Sequence, residues 1–135
     1  MNKKKSKITE YSFRIPIFNQ KIKVLIGKRS SIEKLFSEND IVLDNLNNAD
    51  AACFGIDNYL YLWFESNPNL SVMCHEVGHC VYAIIKSRGL DIEDEELFCY
   101  LQEFIIDNIL KCVKVTLPIV MDPINQRLTQ ADEHQ

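Results

Sequence analysis

Residues 69–87 read as one helix that is apolar on nearly every side yet carries two histidines and a glutamate at its centre. Met73, Cys74, Val77, Cys80, Val81, Ala83, Ile84 and Ile85 surround the pentad His75-Glu76-Val77-Gly78-His79. A helix of that composition is expected to be buried. Ionisable groups in a buried helix are costly unless they are paired or bound to a metal. The stretch therefore demands a fold that covers it and a use for its polar centre.

Residues four apart lie on one face of a helix, so both imidazoles can point at a single ion. A Zn²⁺ ion takes nitrogen ligands at about 2.0–2.1 Å in a near-tetrahedral shell. Glu76 follows the first histidine and can reach a water there without ligating the metal, which is the pattern of a zinc hydrolase with a glutamate base. The bland alternative is a core helix that happens to hold two histidines. Gly78 costs about 1 kcal/mol relative to Ala in a helix interior. It is expected where a side chain would obstruct a neighbouring element or the metal.

Two histidines leave a catalytic zinc one protein ligand short. The position six residues after His79 is Ile85, and His134 falls in a polar end segment. A second helix over 93–112 offers Glu96, Tyr100, Glu103 and Asp107 on one face, with Leu97, Phe98, Leu101, Phe104 and Ile105 on the other. Without the pentad this acidic stripe is simply the solvated face of an amphipathic helix. With it, one of these acids is wanted at the metal. Cys99 lies one turn from Glu96, but buried cysteine usually acts as a small hydrophobe. Tyr100 could donate to a developing oxyanion, though a core aromatic with a wet hydroxyl is the commoner role.

The pentad, the connection ending in Gly89-Leu90, and Asp94-Glu95-Glu96-Leu97-Phe98-Cys99-Tyr100-Leu101 together resemble the small His-Glu-x-x-His proteins of tailed bacteriophages. Those proteins are regarded as zinc metallopeptidases with a minimal zincin fold. The resemblance covers about residues 51–110. It implies Zn²⁺ as cofactor, His75, His79 and Glu96 as metal ligands, and Glu76 as catalytic base. A more distant similarity is to glutamate-ligand zincins such as thermolysin. In those an Asp four residues after the third ligand orients a histidine, and here that place is Tyr100. In zincins an edge strand ahead of the motif helix pairs with extended substrate, a role that Tyr59, Tyr61 and Trp63 would take here, against the alternative of a core strand. The resemblance also implies a bacterial host cytoplasm or a virion as location, with a protein or peptide substrate and other phage proteins as partners.

The 135 residues suit one domain over 1–125 followed by a polar tail, 126–135. A formal net charge of −4 disfavours nucleic acid. Lys3, Lys4, Lys5 and Lys7 read as a solvated tail. Five cysteines, with no secretory apolar run ahead of them, are expected as free thiols in a reducing compartment. No apolar run is long enough to span a bilayer.

Residues 11–18 and 21–27 alternate in part and are expected to form a hairpin through Asn19-Gln20, with Pro16 marking an edge strand. Ser30 or Ser31 would cap a short helix over 32–38 that buries Ile32, Leu35 and Phe36. Residues 51–56 and 59–65 read as strands about Asp57-Asn58. Asn67-Pro68 reads as a helix start, Gly89 as a helix end, and Asp91 as the cap of the second helix. Residues 113–120 would be a last strand. The expected fold is α+β: a minimal zincin-like domain with a small, mostly antiparallel sheet packed on two long helices plus a short one. The expected function is peptide-bond hydrolysis by a metal-activated water. The alternative is a phage structural or interaction protein that keeps zinc for folding.

Overall fold

The computed structural model describes residues 7–43, 46 and 49–117. Alternating side chains build β1 (Thr9–Ile15) and β2 (Gln20–Ile26), which pair antiparallel with Ile15 opposite Gln20. The strand stops before Pro16 rather than running on to residue 18. Proline fixes φ and lacks an N–H, so it suits a turn and not a ladder. Asn19 closes that turn with its N–H on the Pro16 carbonyl at 3.3 Å, at φ 51°. Helix α1 (Arg29–Ser37) follows. Its N-cap is Lys28, with no side-chain cap bond, so neither Ser30 nor Ser31 caps it. Ser31 is buried inside the first turn, and Ile32 and Phe36 face the core.

Strands β3 (Ala51–Ile56) and β4 (Tyr59–Phe64) form a tight hairpin, with Asp57 at φ 54°. The sheet order is β1-β2-β4-β3. Its two hairpins are antiparallel, but the seam between them, β2 on β4, is parallel, with Val24 opposite Leu62. The sheet is therefore mixed. Strand β4 is internal, so Trp63 and its neighbours are not an edge; among the described residues the edges are β1 and β3.

Successive strand residues point to opposite faces, and both faces are covered. Ile22, Val24, Leu62 and Phe64 meet Met73, Val77 and Ile84 of α2 (Leu70–Ser87) and Leu101, Ile105 and Ile109 of α3 (Glu95–Cys112). Leu25 and Trp63 meet Ile32 and Phe36 of α1 on the other side, with Leu46. Trp63 has no exposed surface, and its indole N–H donates to the Gly27 carbonyl at 2.8 Å. The result is three layers: α1, the sheet, and the α2–α3 pair.

Local chemistry sets the ends of the long helices. Asn69 caps α2, its side chain accepting from Val72 N–H at 2.9 Å, two residues later than expected. At the other end Gly89 takes φ 64°, and Leu90 N–H reaches the Ile85 carbonyl at 3.0 Å, a Schellman closure. Asp94, not Asp91, caps α3 by accepting from Leu97 N–H at 3.1 Å. Asp91 instead folds the connection, accepting from Glu93 N–H. Beyond α3 the expected strand is reduced to a single parallel bridge between Asn69 and Thr116. Residues 118–120 and the tail 126–135 lie outside the described residues. Among the described residues no helix is long and apolar enough to cross a membrane.

Candidate functional site

Helix α2 is less evenly buried than its composition suggests. Met73, Val77, Cys80, Val81, Ile84 and Ile85 make one core-facing stripe with no exposed surface. His75, His79, Tyr82 and Lys86, spaced by threes and fours, are exposed together. Solvent rather than packing thus hosts the two imidazoles. Glu76 is the exception within the pentad, only 8 % exposed, one of two buried polar residues among those described.

The two histidines converge. His75 Nε2 and His79 Nε2 are 3.1 Å apart, with ring centroids at 4.7 Å and planes at 78°. Two imidazole lone pairs this close need a proton or a cation between them. Two nitrogens on a tetrahedral Zn²⁺ at about 2.05 Å would stand about 3.3 Å apart. The pair is therefore spaced as two of the four positions around such an ion require, and neutral imidazole is a suitable donor for it.

Glu76 and His79 share the wall of a cavity of about 440 Å³ with Ala52, Cys53, Phe54, Gly55, Leu60 and Ala83. The cavity lies between α2 and β3, an edge strand of the sheet among the described residues. The β3 wall has no signal in the sequence, since strand order is set by distant partners. Cys53 on this wall is paired with the Cys80 thiol beneath it. A hydrogen bond with Cys53, together with burial, pushes the Cys80 thiol well above its ordinary value.

Glu96 is exposed in the first turn of α3. Tyr100 is 41 % exposed, and Cys99, Glu103 and Asp107 are exposed as well. The acidic stripe thus forms a solvated face of α3. Among the described residues, no three His, Cys, Asp or Glu side chains come together in a group able to hold a metal ion. The structure brings His75 and His79 together, sets Glu76 on the same cavity wall as His79, and does not bring Glu96 to them. The helical arithmetic shows why. His79 sits eight residues, about 12 Å, before the end of α2, whereas Glu96 sits at the very start of α3. A helical hairpin sets such positions at different levels. His134 lies outside the described residues.

Gly78 does not guard a close approach, because a Cβ built on it would meet nothing within 4 Å. It opens onto free space beside the histidine face. Comparisons with protein-family models, with curated proteins and with solved structures found no match.

Proposed function

We propose that this protein is a zinc-dependent peptidase whose centre is His75, Glu76 and His79. One observation carries the reading: two histidine Nε2 atoms 3.1 Å apart, one of the two histidines sharing with the buried Glu76 the wall of a cleft against an edge strand. His75 and His79 would hold the ion. When bound, zinc supplies Lewis acidity and brings a water into the acidity range of neutral solution. Glu76 would take the proton of the attacking water and return it to the leaving amine. Its burial, at 8 % exposure, would limit the positions the carboxylate can take. The outer edge of β3 would hold extended peptide by main-chain hydrogen bonds. Glu96, the third ligand by the resemblance alone, would reach this ion only if α3 shifted toward the pair.

The competing reading, a structural zinc in a virion or interaction protein, is less well supported. Structural zinc sites are closed by four protein ligands, and this pair stands open to solvent.

The experiment is zinc analysis of purified protein together with a broad peptide-cleavage screen. We expect about one zinc per chain, lost in His75→Ala/His79→Ala. Glu76→Gln should keep zinc and fold while losing about 10²–10⁴-fold in cleavage rate. Zinc content unchanged in the double variant, or equal cleavage by Glu76→Gln, would refute the assignment.

A further inference from the structure

The cleft at Glu76 and His79 adjoins a larger cavity of about 750 Å³, and Gly55, Leu60 and Ala83 line both. The larger cavity lies where the β1–β2 turn, the β3–β4 turn and the end of α2 meet, and Gln20, Lys21, Asp57 and Arg88 are on its wall. A trough therefore runs along α2 from the histidine face to Arg88.

The far end is cationic, and its cation is held in place. The Arg88 guanidinium lies 5.2 Å from the centroid of the Phe18 ring, and Arg88 Nη2 donates to Gln20 Oε1 at 3.2 Å. The ring contact and one hydrogen bond hold the group, and among the described residues they engage one of its five N–H donors. A basic residue at a helix C-terminus commonly folds back onto the last carbonyls. The Arg88 side chain reaches instead across to the β1–β2 turn. Lys21 adds a second cation, 5.4 Å from the Tyr59 ring. Among the described residues neither cation has a carboxylate within ion-pair distance; the pair found there is Lys23 with Glu10. Asp57 lines the cavity without pairing with either.

His79 and the α2 C-cap Arg88 are nine residues apart, about 13.5 Å at 1.5 Å per residue. An extended peptide covers that span in about four residues at roughly 3.3 Å each. Resting on the peptidase reading above, we infer that Arg88 and Lys21 form a subsite for a substrate carboxylate about four residues from the bond held at Glu76. The carboxylate is an acidic side chain or a free chain terminus.

The test uses the full-length, zinc-loaded Glu76→Gln protein and fluorescence anisotropy of labelled Ser-Val peptides. One peptide carries a single Glu near one end, a second carries Gln there, and each is made with a free or an amidated C-terminus. Wild-type cleavage of the same set is measured in parallel. The carboxylate peptide should bind about fivefold more tightly, the upper range for an exposed ion pair, and less so at high salt. Arg88→Ala should abolish the preference, and Arg88→Glu should transfer it to a Lys peptide; Arg88 is exposed, so both variants should fold. If amidation rather than Glu→Gln removes the preference, the group read is a chain terminus. Cleavage without any carboxylate preference would overturn the subsite and leave the peptidase reading standing. Arg88-dependent binding without cleavage would support the subsite and remove the hydrolysis. A preference that survives Arg88→Ala and Lys21→Ala, or no binding of any peptide, would overturn the inference.

Discussion

Two glycines of the same helical segment should respond to the same substitution with opposite signs. Gly78 lies inside α2 with helical backbone, and a Cβ there meets nothing within 4 Å. Gly78→Ala should therefore gain the full difference in helix propensity, about 0.8–1.0 kcal/mol, with no steric cost. Gly89 also has open space around it, but its φ of 64° is left-handed. Gly89→Ala should lose about 1–2 kcal/mol, because a Cβ in that region crowds the following carbonyl. A chain of this length has an unfolding entropy of about 0.28 kcal/mol/K, so Gly78→Ala should raise Tm by about 3 °C and Gly89→Ala should lower it by about 4–7 °C. Thermal unfolding followed by circular dichroism, in chelator so that metal affinity does not contribute, measures both. Loss of stability in Gly78→Ala would show that something occupies the space beside the histidine face. Equal signs at the two positions would refute the argument from backbone conformation.

Three further outcomes are expected. Alanine at Glu96 should lower zinc affinity more than alanine at Glu95 or Glu103; equal affinities by competition titration would remove Glu96 from the site. Trp63→Phe should cost about 2–3 kcal/mol in urea unfolding, because it opens a void and strips the buried Gly27 carbonyl of its donor; a cost below about 0.5 kcal/mol would show that the bond contributes little. At pH 8 a maleimide should label the exposed Cys99 and Cys112 in the folded protein but Cys80 only after unfolding. Because the fold raises the Cys80 pKa, the stability tied to its neutral thiol is present below the ordinary thiol value and is lost as pH rises through the thiol range. Rapid labelling of Cys80 in the native state would contradict that.

What could be read from the chain was mostly local. The pentad, the 3.6-residue spacing of Met73, Val77, Cys80 and Ile84, and the φ required at Gly89 each depend on neighbours within a turn or two. The misplacements share a different cause. Asn67 and Asn69 are equally good caps by residue type, and the choice falls to Asn69 where Thr116 bonds Pro68 and Leu70 on either side of it. Asp91 and Asp94 were likewise equivalent until the connection bent around Asp91. Strand β4 became internal because β2 lies against it in parallel, a pairing between distant segments that no local pattern announces. Burial of the histidines was overestimated because composition alone does not reveal that one side of α2 lies open. Arg88 gave no signal at all, since its meaning comes from Phe18 and Gln20 on another hairpin.

The parallel seam between β2 and β4 also has a kinetic consequence. The β1–β2, β3–β4 and α2–α3 pairs are each joined by a short connection, so each can form quickly by local closure. Joining β2 to β4 must first bring together segments that α1 and the β3 hairpin separate, and that loop entropy is met before any ladder bond forms. Docking of the first hairpin is then expected to be the slow event in folding. It is also the natural line along which the native molecule would open. Opening there would separate Gln20 and Phe18 from Arg88 and leave the histidine helix and its edge strand together, so one half of the trough could come apart while the other stays assembled.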